Sequence, residues 1–373
     1  MDGVTDASFR FITAKHGGPD VTLTEFVNIQ SALYSPHTLL KDFTYSEVER
    51  PVVAQIYGKT PELFYKVAHI VCELGFDGLD INMGCPAKKV AASGCGAALI
   101  RTPDLAREII RAARQGIEDW HSGQTLGNVG FDREMIEQVE AARHGRNGRN
   151  VMERRLIPVS VKTRLGYDRI VIEDWLATLL AERPAAISLH GRTLAQGYKG
   201  EANWNAIALA VEVAAGSGTL ILGNGDVRDL RDVFERVRQT RVDGVLIGRS
   251  AQGEPWIFRE KDHLKQALCC NTDLDLHGVP IDIAERFRVI VEHCELFERH
   301  CGRSRFVAMR KHLTWYCRNF RGAADMRARM TRANSAEDVR LCLAEFMAHA
   351  HGEAQPGESS HNHSRAEEVA LPA

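Results

Sequence analysis

The sequence predicts an α/β fold, either a (β/α)8 barrel or a doubly wound parallel sheet, followed by a smaller all-helical region. Seven short apolar runs rich in Val, Ile and Leu alternate little with polar residues, as strands covered on both faces do. Amphipathic helical patterns separate these runs. After about residue 282 the apolar runs stop, and the pattern is helical to about residue 350.

The predicted strands and helices alternate in chain order. Strands are predicted at 21–26, 51–56, 78–82, 158–162, 186–190, 219–223 and 244–248. Helices are predicted at 61–74, from 103 onward, and at 174–182, 204–213 and 229–238. Thr60-Pro61 and Thr102-Pro103 are each an N-cap residue followed by a first-turn proline. A closed barrel needs eight strands. We expect the missing one to be the first, because Met1 already reads as part of a loop.

The same patterns predict three segments. Residues 1–281 form the barrel, interrupted at about 118–157 by an insertion rich in Gly, Asn and Arg with one helix near 132–142. Residues 282–350 form the helical domain. Residues 351–373 are polar and contain Pro, Ser and His, which predicts a disordered tail.

Composition excludes several classes of protein. Hydrophobic residues make up 44% and charged residues 26%, with a net charge of -2, which is ordinary for a globular protein. No apolar stretch is long enough to span a membrane, and the N-terminus has no signal-peptide pattern. The 9 cysteines include no Cys-x-x-Cys pair and no zinc pattern. We therefore expect a cytoplasmic protein without a metal site.

The most informative stretch contains Gly84-Cys85-Pro86, directly after a predicted strand. In an α/β barrel, the loops after the strands form the catalytic face. A free thiol titrates near pH 8.5, so at neutral pH it is mostly protonated and able to donate a proton. Taken alone, a buried cysteine beside a turn remains the more common interpretation of such a tripeptide.

Other strand ends also have polar side chains or glycines. Gly223-Asn224-Gly225-Asp226 and Gly248-Arg249 follow the last two strands, where barrels often bind a phosphate. Lys162 can stabilise negative charge, and the Gln55 amide can pair with both a donor and an acceptor of a ligand. His190 can contact a ligand or its phosphate. Tight turns, a solvated lysine and a structural histidine are the alternatives.

Taken together and in order, these motifs resemble the signature of the tRNA-dihydrouridine synthases, which are FMN-dependent (β/α)8 barrel reductases with a C-terminal helical domain. The resemblance extends from Met1 to about Asn334, and the end of the barrel is most similar to the bacterial B-type branch. The matching motifs are Met1-Asp2-Gly3-Val4-Thr5-Asp6, Gln55-Ile56-Tyr57-Gly58, Asn82-Met83-Gly84-Cys85-Pro86, Val161-Lys162-Thr163-Arg164-Leu165-Gly166, His190-Gly191-Arg192-Thr193, Gly223-Asn224-Gly225-Asp226 and Ile247-Gly248-Arg249.

The resemblance implies a mechanism and a set of site residues. NADPH or NADH reduces FMN, the flavin gives hydride to C6 of a uracil ring, and Cys85 protonates C5. Asn82 and Arg192 help to place the substrate. The residues implied to bind FMN are Met1, Gly3, Gln55, Lys162, His190, Asn224, Gly225, Asp226, Gly248 and Arg249.

A tRNA substrate requires positive charge on the protein. Between Cys301 and Asn334 the only carboxylate is Asp325, so the net charge there is about +8. The cations are Arg303, Arg305, Arg310, Lys311, Arg318, Arg321, Arg327, Arg329 and Arg332.

We predict that Arg310, Lys311 and Arg318 contact tRNA. The interleaved aromatic residues are candidates for stacking on bases, with core packing as the alternative; they are Trp315, Tyr316 and Phe320. Arginines of the insertion suggest a second RNA contact; they are Arg143, Arg146, Arg149, Arg154 and Arg155.

Two other functions would also account for part of this sequence pattern. One is another FMN-dependent barrel reductase acting on a small pyrimidine-like substrate, which would need no basic helical region. The other is a non-catalytic RNA-binding protein, which would not need the Cys85, Lys162 and Arg249 set. The chain departs from the family by lacking an apolar strand before Met1, for which a misplaced start codon or a shortened chain is the preferred explanation. The target uridine and the oligomeric state are not predicted.

Overall fold

The computed structural model describes residues 1–34, 36–147, 153–278 and 280–352. Within these residues, seven parallel strands form one sheet in chain order, so every strand pairs with its sequence neighbours. The strands are β1 (Thr22–Asn28), β2 (Val52–Tyr57), β3 (Gly78–Met83), β4 (Val159–Arg164), β5 (Ala186–His190), β6 (Leu220–Asn224) and β7 (Gly244–Leu246). All seven predicted strands are confirmed.

Helices connect the strands and form the C-terminal region. The described α-helices are α1 (Ala7–Gly17), α2 (Ser31–Tyr34), α3 (Pro36–Asp42), α4 (Pro61–Glu73), α5 (Lys88–Ala92), α6 (Pro103–His121), α7 (Arg133–Asn147), α8 (Ile172–Leu180), α9 (Trp204–Ala214), α10 (Leu230–Thr240), α11 (Lys261–Cys270), α12 (Ile283–Cys301), α13 (Arg310–Tyr316), α14 (Ala323–Met330) and α15 (Ala336–Gly352). Short 3-10 helices span Glu47–Glu49, Gly96–Arg101, Arg249–Ala251, Pro255–Phe258 and Arg303–Met309. In this part of the chain no helix is long and apolar enough to cross a membrane.

The described sheet has the strand order of a (β/α) barrel. Parallel pairing in strict chain order with helical crossovers is the barrel topology, and it predicts a curled sheet covered by helices. Among the described strands none pairs β7 with β1, so the sheet has two edges. Residues 1–4 lie at both edges. The Val4 amide donates to Oε1 of Glu25 on β1 at 2.9 Å, and a Cβ built on Gly248 after β7 would lie 3.4 Å from Sδ of Met1.

Two apolar cores stabilise the chain. The first joins the strand residues that face the helices, among them Ile56, Ile81 and Val161, to the surrounding helices. The second joins the helices after residue 282, and it also includes Ile12 of α1 and Trp256. Burial of each large side chain contributes roughly 1.5–3 kcal/mol. The helical region is therefore a separately packed unit to which the N-terminal helix is attached.

Helices α4 and α6 pack closely because of one glycine. A Cβ added at Gly116 of α6 would lie 2.3 Å from the carbonyl oxygen of Tyr65 on α4. Real Cβ atoms do not approach a backbone atom this closely, so any side chain there would separate the two helices. This contact fixes α6, and with it the loop that joins β3 to α6.

The insertion contains the predicted helix, as α7, but its arginines pair with the barrel. Arg143 lies 3.0 Å from Glu73 at the end of α4, Arg154 lies 3.8 Å from the same carboxylate, and Arg155 pairs with Asp77 before β3. These carboxylates lie at the end of the sheet where the strands begin, opposite the catalytic loops. Three of the five arginines predicted to form a second RNA contact are therefore in ion pairs with the barrel. The side chains of residues 146 and 149 lie outside the described part.

A buried histidine pair lies where α1 meets the helical region. His293 and His312 are both buried, with ring centroids 5.1 Å apart. His293 Nδ1 lies 3.1 Å from the Tyr316 hydroxyl, while neither nitrogen of His312 has a hydrogen-bond partner. Burial lowers the pKa of His293 to about 4 and that of His312 well below its usual value. Asp6 lies 3.7 Å from His312, too far to offset the burial.

We expect this pair to make the fold sensitive to acid. The folded pKa values lie below the unfolded value of about 6.5, so below pH 6.5 the unfolded chain binds protons that the folded chain does not. Each histidine should lower the free energy of unfolding by up to about 1.4 kcal/mol per pH unit as the pH falls below that value. Denaturant unfolding at pH 7 and pH 5 should therefore show a smaller pH effect in His312→Phe than in the wild type. An equal reduction in His263→Phe, at an exposed position on α11, would contradict this.

Candidate functional site

The strand register places the predicted site residues side by side at the carboxyl ends of consecutive strands. Asn82 is paired with Lys162, and Gln55 with Asp80. At the following strands, Arg164, His190 and Asn224 lie in one row. Parallel strands bring their carboxyl ends to one face, which is where ligands bind in this class of fold. The sheet thus collects side chains that are far apart in sequence.

A buried hydrogen-bond network orients the Gln55 amide. Its Nε2 donates to Oδ2 of Asp80 at 2.7 Å, and its Oε1 accepts from Nδ2 of Asn82 at 3.0 Å. Asp80 also accepts from the Ser160 hydroxyl at 2.6 Å. Burial raises the pKa of the Asp80 carboxyl. Sequence analysis missed Asp80, although a carboxylate within an apolar strand was a signal for it.

Asn82 and Arg164 hold the loop that contains Cys85. Oδ1 of Asn82 accepts from the amides of Gly84 and Cys85, at 3.1 Å and 2.9 Å. Nε of Arg164 donates to the Gly84 carbonyl at 2.7 Å. Arg164 is buried and also donates to the Thr193 carbonyl at 3.0 Å, so it ties two catalytic-face loops together. Its role could not be read from the sequence, where it is one of many arginines.

The Cys85 side chain is largely buried in the loop after β3. The residue is 7% exposed, yet it lies outside the apolar core of the barrel. Burial raises the pKa of its thiol. The sulfur is therefore protonated at neutral pH. The carbonyl of Cys85 accepts from the Ala97 amide at 3.3 Å, which fixes the following turn against the loop.

Lys162 places a cation beside the loops after β6 and β7. Its Nζ donates to Oδ1 of Asn224 at 3.2 Å, and Nδ2 of Asn224 donates to the Leu246 carbonyl at 2.9 Å. Burial lowers the pKa of Lys162 to about 8, with Asp80 acting in the opposite direction. The ammonium is thus charged at neutral pH but weakly solvated, and it interacts strongly with any negative charge that forms nearby.

His190 is a neutral polar group in the same pocket. It is buried at the end of β5. Burial, together with the nearby positive charge of Lys162, lowers its pKa to about 3. Its Nε2 lies 3.4 Å from a guanidinium nitrogen of Arg192. The ring offers hydrogen bonds without adding charge.

Asp226 joins the two arginines of the predicted site. It lies 2.6 Å from Arg192 and 2.9 Å from Arg249. Arg192 is only 2% exposed and also donates to the Gly200 carbonyl at 2.6 Å. These contacts hold the loops after β5 and β6 together, and the substrate contact implied for Arg192 stays a prediction. Arg249 is 59% exposed and remains available to an anion.

Gly225 of the predicted phosphate site is sterically required. Gly225 has a φ of 130°, and a Cβ there would lie 2.6 Å from Cβ of Ala202. Gly248 faces Met1, and Gly3 has a φ of 68°. These backbone segments, the Gln55 amide, the neutral His190 and the cations of Lys162 and Arg249 are the donor types that a flavin ring and its phosphate need. The residues present therefore fit FMN.

The helical region contacts the barrel face through Lys311, whose ammonium donates to the Gly3 carbonyl. The two predicted tRNA contacts beside it already have partners. Arg310 donates to the Ala333 carbonyl and to Asn334, both at 2.8 Å. Arg318 lies 3.2 Å from Glu254 and donates to the Gln252 carbonyl at 2.6 Å.

The aromatic residues of the basic segment mainly pack inside the helical region. Tyr316 is buried in the second core, and Phe320 packs against it. Trp315 is partly buried, with its ring 4.9 Å from that of His312. Tyr316 is buried at the end of α13, and Phe320, in the bend before α14, contacts the rings of Phe287 and Phe346, so core packing accounts for both.

The fold and the site together define an α/β-barrel flavoenzyme. A sequence profile of the dihydrouridine synthase family matches residues 1–146 and 146–351. A probable tRNA-dihydrouridine synthase 2 of Bacillus subtilis (strain 168) is 33% identical over 355 residues, covering 93% of this chain and 92% of that protein. A probable tRNA-dihydrouridine synthase of Staphylococcus aureus (strain COL) is 31% identical over 357 residues, covering 93% and 92%. The chain belongs to the dihydrouridine synthase family.

Membership gives the reaction at the level of the family: a flavin-dependent oxidoreductase that uses FMN and forms dihydrouridine in tRNA. Among solved structures, DHODH from Eimeria tenella in complex with ferulenol matches 64% of this chain and 64% of its own at 16% identity, with a TM-score of 0.41. This similarity is too low to add to what the strand order shows.

Proposed function

We propose that Cys85 is the proton donor in the reduction of a tRNA uridine, and that the residues around it hold FMN and the uracil ring. The observation that supports this most directly is the position of Asn82. Its side chain contacts the Gln55 amide and the backbone amide of Cys85, and its strand position is paired with Lys162. This arrangement keeps the Cys85 loop close to the Gln55 amide and to the strand of Lys162, as the proposal requires.

The reaction adds one hydride and one proton across the C5–C6 double bond. FMN, when bound, supplies the hydride that C6 accepts. The Cys85 thiol gives its proton to C5 and becomes a thiolate, which solvent then reprotonates. Because the pKa of the thiol is raised, the proton stays on sulfur until C5 of the uracil ring accepts it.

The remaining polar groups position the flavin and the substrate. Lys162 would balance the negative charge of the reduced flavin ring, and Gln55 would hydrogen-bond to the edge of the ring. His190, Arg249 and the glycine loops would hold the ring and phosphate. Asn82 would orient the uracil, since its carboxamide lies between Gln55 and the Cys85 loop.

We also propose an electron donor and a separate role for each of the two parts of the chain. A nicotinamide dinucleotide, NADPH or NADH, supplies the electrons, and residues 1–281 form the catalytic barrel. The helical region, residues 282–350, binds tRNA, and the reaction takes place in the cytoplasm. The contact between Lys311 and Gly3 supports this arrangement, because it joins the basic segment to the catalytic face. A reductase of a free pyrimidine would have no use for that surface.

We expect tRNA from a strain that lacks this gene to lose dihydrouridine at a defined position. Mass spectrometry of nuclease-digested tRNA would show the affected uridine two hydrogen atoms lighter. The purified protein with NADPH and that tRNA should restore the mass. Unchanged dihydrouridine in the deletion strain, together with no activity in vitro, would refute the proposal. Reduction of free uracil in preference to tRNA would favour the small-molecule alternative.

A further inference from the structure

Arg101 and Tyr167 form an exposed stacked pair on the catalytic face. The guanidinium carbon of Arg101 lies 3.5 Å from the centroid of the Tyr167 ring. If a guanidinium nitrogen pointed at the ring, a C–N bond of about 1.3 Å would bring that nitrogen closer to the ring than van der Waals contact allows. The two planes are therefore stacked. One face of the guanidinium covers the ring, and the side chain of Arg101 is still 57% exposed.

Both residues lie on the side of the sheet where the strands end. Arg101 ends the 3-10 helix that follows the Cys85 loop, just before α6, and Tyr167 lies in the loop after β4. A helix that returns from a parallel strand begins at the catalytic face, so the start of α6 is there as well. The pair is thus on the rim of the same face as Cys85.

The backbone holds the pair in place before any ligand binds. The Tyr167 carbonyl accepts from the Ala195 amide at 2.8 Å, and the Gly166 carbonyl accepts from the Leu194 amide at 3.0 Å. These bonds fix the loop after β4 to the loop after β5. Asp168 lies 3.3 Å from the outer nitrogen of Arg101 and limits its rotation. A preformed plane loses little entropy when a ligand stacks on it.

We propose that the free face of Arg101 is a stacking platform for an unpaired nucleobase of the RNA substrate, separate from the uracil that is reduced. Unstacked bases bind to aromatic rings and to arginine planes in RNA-binding proteins. An arginine already supported by a tyrosine offers a rigid plane together with a positive charge for the adjacent phosphate. This inference rests on the proposed function, because it assumes an RNA substrate at this face.

The alternative is a surface contact that only stabilises the loop. A phosphate contact needs charge alone, whereas a stacking contact needs the guanidinium plane. Lysine keeps the charge but has no plane. Arg101→Lys therefore separates the two roles, and Tyr167→Leu removes the support beneath the plane.

The test measures binding of unmodified tRNA by filter binding, and the KM for tRNA, with flavin absorbance as a check on the pocket. We expect Arg101→Ala and Arg101→Lys each to weaken binding by about 10-fold, the loss of one stacked base, with kcat and flavin content unchanged. Tyr167→Leu should weaken binding to a smaller extent, and Tyr167→Phe should bind as the wild type does.

The matched control is Arg238→Ala. Arg238 is also exposed and lies 5.4 Å from the centroid of the Phe234 ring, but in the last turn of α10, away from the catalytic face. Its loss should leave tRNA binding unchanged. Wild-type tRNA binding by Arg101→Lys would contradict the proposed stacking platform. So would a loss of tRNA binding in Arg238→Ala equal to that in Arg101→Ala. If the wild type forms no dihydrouridine, the proposed function fails instead, whatever the variants bind.

Discussion

Replacing Cys85 by alanine is expected to lower the rate of uridine reduction by at least about 100-fold while flavin and tRNA still bind. General acid catalysis by a positioned side chain contributes about 100-fold to 10,000-fold, and alanine has no proton to give. Asn82 holds the loop of Cys85 through the backbone amides of Gly84 and Cys85, and burial raises the pKa of the thiol, so the loop should keep its shape when only the sulfur is removed. Single-turnover reduction of tRNA, followed by mass spectrometry, measures the loss.

Cys95→Ala is the matched control for this experiment. Cys95 is ten residues further along the chain and is as buried as Cys85, at 7% exposed. Its Sγ lies 3.9 Å from the Ser93 carbonyl oxygen, just before the 3-10 helix Gly96–Arg101. The control should therefore keep nearly full activity. Wild-type turnover in Cys85→Ala, or an equal loss in both variants, would remove Cys85 from the mechanism.

Replacing Lys162 by methionine should have the second large effect. Methionine has a similar length but no charge, so the negative charge that develops in the flavin pocket would lose its nearest cation. Loss of one such electrostatic contact typically lowers kcat by about 100-fold to 1,000-fold. Flavin content, from the absorbance of the purified protein, should fall too, and a stopped-flow measurement of flavin reduction by NADPH would detect the kinetic effect.

The pH dependence provides a sharper test of Lys162. Its pKa is about 8, so the ammonium is lost as the pH rises through that value. Flavin reduction in the wild type should slow above pH 8 and remain fast at pH 7. Lys162→Arg keeps its charge throughout this range, so its rate should show no decline near pH 8. A decline that persists in Lys162→Arg would assign the titration to another group.

The strands and the gathering of site residues could be predicted because both follow from local pattern. Buried parallel strands are continuous apolar runs, and all seven were recognised from them. Once strands are parallel, residues near their carboxyl ends must lie on one shared face. Gln55, Asn82 and Lys162 lie near the ends of consecutive apolar runs, so the sequence predicts that they come together.

The partners of individual side chains could not be predicted in this way. Arg192 and Arg249 have the same charge and follow neighbouring strands, yet Arg192 is buried against Asp226 while Arg249 remains exposed. Tyr316 turned inward although it lies between basic residues. Such outcomes depend on which face of a helix or loop meets the rest of the protein, which composition and spacing do not encode.

The two free edges of the sheet determine where the molecule can open. A strand inside the sheet is held by two hydrogen-bond ladders, whereas within the described residues β1 and β7 are each held by one. The strand β7 has only three residues, Gly244–Leu246, and Nδ2 of Asn224 holds its last carbonyl from within the pocket. Local unfolding begins where the fewest contacts must break. The edge of the sheet at β7 therefore opens most easily, and it adjoins the cofactor pocket. A ligand that contacts both edges would stabilise the whole sheet.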